Sequence, residues 1–148
     1  MRRWLQVWLL GVILLAISGC GLAGPTATPT PEPGYSKEEL EAYLELAQPL
    51  LDEFNDTLEI AGSTARIALA PVVSELRRIQ REFRRLECPE IAKTAHAYFS
   101  DGMDFGIQAF LAFMAQESDA EVERLFKKGR EAMDKGIMAI NIARVEAR

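Results

Sequence analysis

The sequence predicts an all-α fold, an antiparallel up-down-up-down four-helix bundle, with a three-helix bundle on a long bent first helix as the alternative. Three observations predict it. In three segments, Leu40–Ala61, Leu69–Leu86 and Val122–Ala147, apolar residues recur in alternating steps of three and four, the period of a helix that buries one stripe. Two Ser-x-x-Glu boxes, Ser36-Lys37-Glu38-Glu39 and Ser118-Asp119-Ala120-Glu121, mark helix starts. No stretch alternates apolar and polar residues as a half-buried strand does. The 148 residues, 49% apolar and 26% charged, suit one domain rather than a disordered polymer. Two cysteines exclude a disulfide scaffold, and a net charge of −5 argues against nucleic acid as partner.

The first helix opens at Ser36. Leu40, Leu44, Ala47, Leu51, Phe54, Leu58 and Ala61 form its stripe, and Pro49 lies off it, bending the helix outward. Gly62-Ser63-Thr64 offers a stop and a new cap. A single helix from Lys37 to Glu87 would be about 76 Å long, more than its partners could cover. A break near residues 62–64 is therefore expected. Pro71 then either starts the second helix or kinks it. Its stripe is Leu69, Val72, Leu76, Ile79, Phe83 and Leu86.

Cys88-Pro89 ends that helix, and Pro89 suits the first turn of a third, about 89–116. The third helix carries Tyr98, Phe99, Phe105, Phe110 and Phe113 together with Gly102 and Gly106. Asp101, Asp104 and Gln108 mark its one wet strip, so it should be the most buried. The fourth helix opens at Ser118. Its stripe is Val122, Phe126, Gly129, Met133, Gly136, Ile140, Ala143 and Ala147.

The region before Ser36 is of another kind. Arg2 and Arg3 precede an uncharged run, Trp4 to Ile17, whose one polar residue is Gln6. Fourteen helical residues rise about 21 Å, short of a ~30 Å hydrocarbon core. This suits a signal-peptide core better than a membrane span. The run ends Ile17-Ser18-Gly19-Cys20, which resembles the lipobox of bacterial lipoproteins: an aliphatic residue, two small residues, then cysteine. The resemblance covers residues 1–20. It implies that residues 1–19 are a cleaved signal peptide, that Cys20 carries a diacylglycerol, and that the chain is anchored to a bacterial membrane on its extracytoplasmic side. Removing Arg2 and Arg3 from the 17 basic residues leaves 15 against 22 acidic ones, a formal charge of −7.

Residues 20–35, with Pro25, Pro29, Pro31 and Pro33, form a Pro/Thr-rich tether. Extended as polyproline II, they reach up to ~50 Å from the lipid. Residues 36–148 are the bundle domain. Small helical envelope lipoproteins share this plan, and many carry Pro a few residues before His at the start of a later helix, as Pro89 and His96 stand here. That resemblance implies a fold and no chemistry.

The candidate sites are few. His96 is the only histidine, and no Glu-x-x-His accompanies it, so a di-iron centre is excluded; a satisfied boundary histidine is the favoured reading. Cys88 is odd in an exported chain whose other cysteine takes lipid. At a helix N-cap its thiolate would be favoured, with Arg84 and Arg85 assisting and Glu87 and Glu90 opposing; a small apolar residue closing a turn is the simpler role.

Arg77, Arg78, Arg81, Arg84 and Arg85 form one basic face. It suits anionic lipid headgroups or wall polymers, or it pairs with residues 36–60, where eight acids face Lys37 alone. Gly102, Gly106, Gly129 and Gly136 give either close packing or a groove for a lipophile. No nucleophile with a base, phosphate loop or metal cluster is present, so no enzyme and no cofactor is expected. The expected role is an interaction or structural module whose named partner is membrane lipid, through acylated Cys20. Any protein partner is left unidentified. A small-ligand carrier for haem, metal or lipophile is the alternative.

Overall fold

A computed structural model describes residues 36–147; the proposed signal peptide, Cys20 and the tether lie outside the described residues. Among the described residues there are four α-helices and no strand. They are α1 (Lys37–Ser63), α2 (Leu69–Arg84), α3 (Lys93–Met114) and α4 (Asp119–Glu146), with 3-10 turns at Arg66–Ala68 and Glu90–Ala92.

The expected break comes near residues 62–64: α1 ends at Ser63. Thr64 and Ala65 are extended, the Arg66–Ala68 turn follows, and Pro71 sits in the first turn of α2, where its missing N–H costs nothing. The long bent first helix is thereby set aside. Pro49 lies within α1 on its exposed side. Both serine caps form by their hydroxyl half: the amide of Glu39 donates to Ser36 Oγ and that of Glu121 to Ser118 Oγ. The reciprocal carboxylate half does not form for Glu121, because its side chain pairs with Arg124 one turn on.

The turn after Met114 had no glycine to announce it. Gln116 adopts φ 62°, and the amides of Gln116 and Glu117 close onto the carbonyls of Phe113 and Ala112. This is a Schellman stop with glutamine in the left-handed position. The third helix therefore ends two residues short of 116. At its other end Pro89 caps the Glu90–Ala92 turn, and the α-helix begins only at Lys93. The expectation that Pro89 occupies its first turn is corrected. A 3-10 turn intervenes and holds the three residues that the spacing assigned to helix.

α3 is the central helix and buries ten of its 22 residues, against six of 28 in α4. Its contacts with α4 run Phe99 to Gly136, Gly102 to Met133, and Phe110 to Phe126. Residue numbers rise along α3 as they fall along α4. The glycines explain the intimacy of this pair: a Cβ on Gly129 would sit 3.3 Å from the carbonyl oxygen of Gly102. Phe113, unlike Phe99 and Phe110, is 39% exposed, with the Arg66 guanidinium over its ring.

α1 packs chiefly on α2 and touches α4 little. Its stripe divides accordingly. Leu40, Ala47, Phe54 and Ala61 are fully buried, whereas Leu44, Leu51 and Leu58 stay half-buried, and Leu58 lines a hollow between α1 and α4. Tyr43 and Thr57 are buried too, the latter because its hydroxyl donates to the Glu53 carbonyl 2.7 Å away. On α2 the buried valine is Val73 rather than Val72, and Gln80, two turns on, is buried too.

Candidate functional site

Four of the five arginines stand on α2 and the fifth, Arg85, is its C-cap, and the structure divides them. Arg78 leans toward α1 and pairs with Glu53 there, and with Glu75 and Glu82 one turn away on its own helix. The hydrogen bonds that Arg78 donates to Glu75 and Glu82, with the Glu53 charge adding, raise its pKa, while Arg78 in turn lowers that of Glu75. Arg84 leans the other way and pairs with Asp104 of α3. The other oxygen of Asp104 accepts from Gln80 Nε2 at 2.7 Å. The buried amide of Gln80 is thus satisfied by the same carboxylate that holds Arg84.

Arg77, Arg81 and Arg85 remain. They recur every four residues, about 6 Å apart along the helix axis. All three are exposed and, among the described residues, form no ion pair within 4.0 Å. The expectation of pairing with the acidic first helix therefore holds for Arg78 alone.

His96 lies at the end of the bundle where the described chain begins. Tyr43 of α1 brings its hydroxyl to 3.0 Å from Nδ1, and the ring stacks on Phe83 at 4.6 Å and 9°. Burial, then the nearby Arg84 charge, lowers the histidine pKa, so the neutral ring is favoured. In that state with the proton on Nε2, the Tyr43 hydroxyl donates to Nδ1. Burial also raises the Tyr43 pKa, which keeps that donor protonated. No group of three or more His, Cys, Asp or Glu side chains suited to a metal occurs among the described residues.

Cys88 is close by, but it is not an N-cap. It lies in the extended loop before the Glu90–Ala92 turn, five residues ahead of α3, with its thiol directed to the Pro89 carbonyl at 3.5 Å. Burial raises its pKa, against which Lys93 works only as a lesser influence; Glu90 adds to the rise. The thiol is held protonated, and the expectation of dipole activation is corrected. Cys20 lies outside the described residues.

Tyr43, Glu53, Gln80 and Asp104 are the site partners that periodicity passed over. Gln80 and Tyr43 each sit on the buried side of a stripe, four residues after Leu76 and three after Leu40. A polar side chain in an apolar stripe is the signal that would have found them. No protein-family model, no curated protein and no solved structure matches the chain.

Proposed function

We propose that the chain is an extracytoplasmic bacterial lipoprotein, and that its bundle is a tethered docking module for an anionic, phosphate-bearing surface of the envelope. Cys20 carries the lipid, residues 20–35 space the bundle from the membrane, and Arg77, Arg81 and Arg85 make the contact. The observation that carries this reading is the division on α2. Arg78 and Arg84 are neutralised by partners on α1 and α3, whereas three arginines in a row stand exposed and unpaired among the described residues. On a mature chain of formal charge −7, an uncompensated row of cations concentrates positive potential in one place. A short tether makes a modest contact effective, because the surface is always within reach.

The test is binding of residues 20–148 with Cys20→Ser, which carries no acyl chain, to vesicles rich in phosphatidylglycerol and, separately, to a soluble polymer of phosphodiesters. The expected result is binding that weakens as salt rises and is lost in Arg77→Gln/Arg81→Gln/Arg85→Gln. Equal binding by the triple variant would overturn the docking role.

A further inference from the structure

Where α1 fails to close on α4, a cleft runs along the seam between them. It consists of two hollows that meet at Phe126 and Arg130. The narrower, about 250 Å³, is floored by Gly102, Gly106 and Gly129 and walled by Leu58, Phe126 and Met133. The wider, about 540 Å³, lies toward the start of α4 and carries Thr64, Asp119 and Glu123 beside Phe110 and Phe113. The wider has the scale of a small-molecule site, roughly 300 to 1,000 Å³, and the narrower falls just below it.

The order of chemistry along the cleft is specific. Along α4 the lining charges run Asp134, Arg130, Glu123, Asp119: the one cation stands where the two hollows meet, with Asp134 in the narrow hollow and two carboxylates beyond it in the wider one. Arg130 makes no ion pair within 4.0 Å among the described residues, although Asp134 lines the narrow hollow one turn away. The cleft's charged residues are therefore one cation against three acids, Asp119, Glu123 and Asp134. A lone carboxylate or phosphate would meet more repulsion than attraction. A headgroup with an anion next to its chain and a cation beyond it matches the sequence of charges. The narrow hollow, about 250 Å³, is too small for two acyl chains.

We propose that this cleft binds a single-chain zwitterionic phospholipid. Its acyl chain lies over Gly102, Gly106 and Gly129, its phosphate meets Arg130, and its ammonium group meets Glu123 and Asp119. The proposal is independent of the arginine row on α2 and of the anchor.

The test uses the mature chain from residue 20 with Cys20→Ser, so that it has no acyl chain of its own. Its only tryptophans would be introduced ones, because Trp4 and Trp8 precede Cys20. Asn55→Trp, on the rim of the narrow hollow, reports the titration. Lysophosphatidylethanolamine, lysophosphatidylglycerol and an alkyl trimethylammonium salt of equal chain length are compared below their micelle concentrations. Saturable one-to-one binding with preference for the zwitterion is expected. Arg130→Gln, an exposed change that leaves the fold intact, should weaken the zwitterion by about tenfold to a hundredfold and leave the alkylammonium salt unaffected or tighter. Leu58→Phe, which narrows the hollow, should weaken all three. Absence of saturable binding, or zwitterion affinity unchanged in Arg130→Gln, would overturn the proposal, as would equal affinity for all three ligands.

Discussion

Phe99 occupies the place where residue 136 has no side chain. Two carbons of its ring lie 2.6 Å from where a Cβ on Gly136 would stand, nearer than real Cβ contacts come. The ring of α3 and the glycine of α4 are one packing unit. Gly136→Ala should therefore destabilise the bundle, although alanine is the better helix former by about 1 kcal/mol. Gly136→Leu should cost about 1–3 kcal/mol through overpacking. Gly62 in α1 is the control: nothing lies within 4 Å of its Cβ position, so Gly62→Ala should stabilise by a few tenths to about 1 kcal/mol. Chemical unfolding of the three variants decides it, and a Gly136→Ala protein as stable as the parent would contradict the packing.

Gln116 holds a left-handed backbone that glycine adopts without strain. Gln116→Gly should stabilise by about 1 kcal/mol, the left-handed penalty for a residue with a Cβ. A loss of stability in thermal unfolding would show that the Gln116 side chain contributes more than its backbone costs.

His96 should impose a pH dependence. Its folded pKa lies below the ordinary value of 6.5, so its contribution to stability is complete above 6.5 and is lost as pH falls through the lower folded value. The lowered carboxylates Glu38, Glu75 and Glu121 act in the same direction, but only below their ordinary value of 4.5. Stability measured from pH 7 to pH 5 should fall in the parent and stay flatter in His96→Asn. Equal slopes would remove the histidine from the explanation.

Cys88 should react with a maleimide at pH 7 more slowly than free cysteine, because burial and Glu90 hold the thiol protonated. Lys93→Ala should slow it further. A rate above that of free cysteine would restore the activated thiol.

The helices were legible because each stripe is buried against a neighbour, and burial imposes the period. Leu40, Leu76 and Ile140 fall where the spacing places them. Ends were less legible where backbone geometry decides: Gln116 does glycine's work without being glycine, and Pro89 caps a 3-10 turn that apolar spacing does not distinguish from helix. The division of the arginines could not be read at all. Which of five cations finds a carboxylate depends on the rotation of α2 between Glu53 on one side and Asp104 on the other. The open seam beside Leu58 was hidden for the same reason, since a stripe shows which face is apolar and not how far a neighbour closes over it.

The most direct test of the lipoprotein role is the intact mass of the chain extracted from membranes of a bacterium expressing it. The expected mass is that of residues 20–148 with a diacylglycerol on Cys20, and Cys20→Ser should leave the precursor uncut and unlipidated. A membrane-bound chain that retains residues 1–19, or a Cys20→Ser variant that matures to the parent's mass, would contradict it.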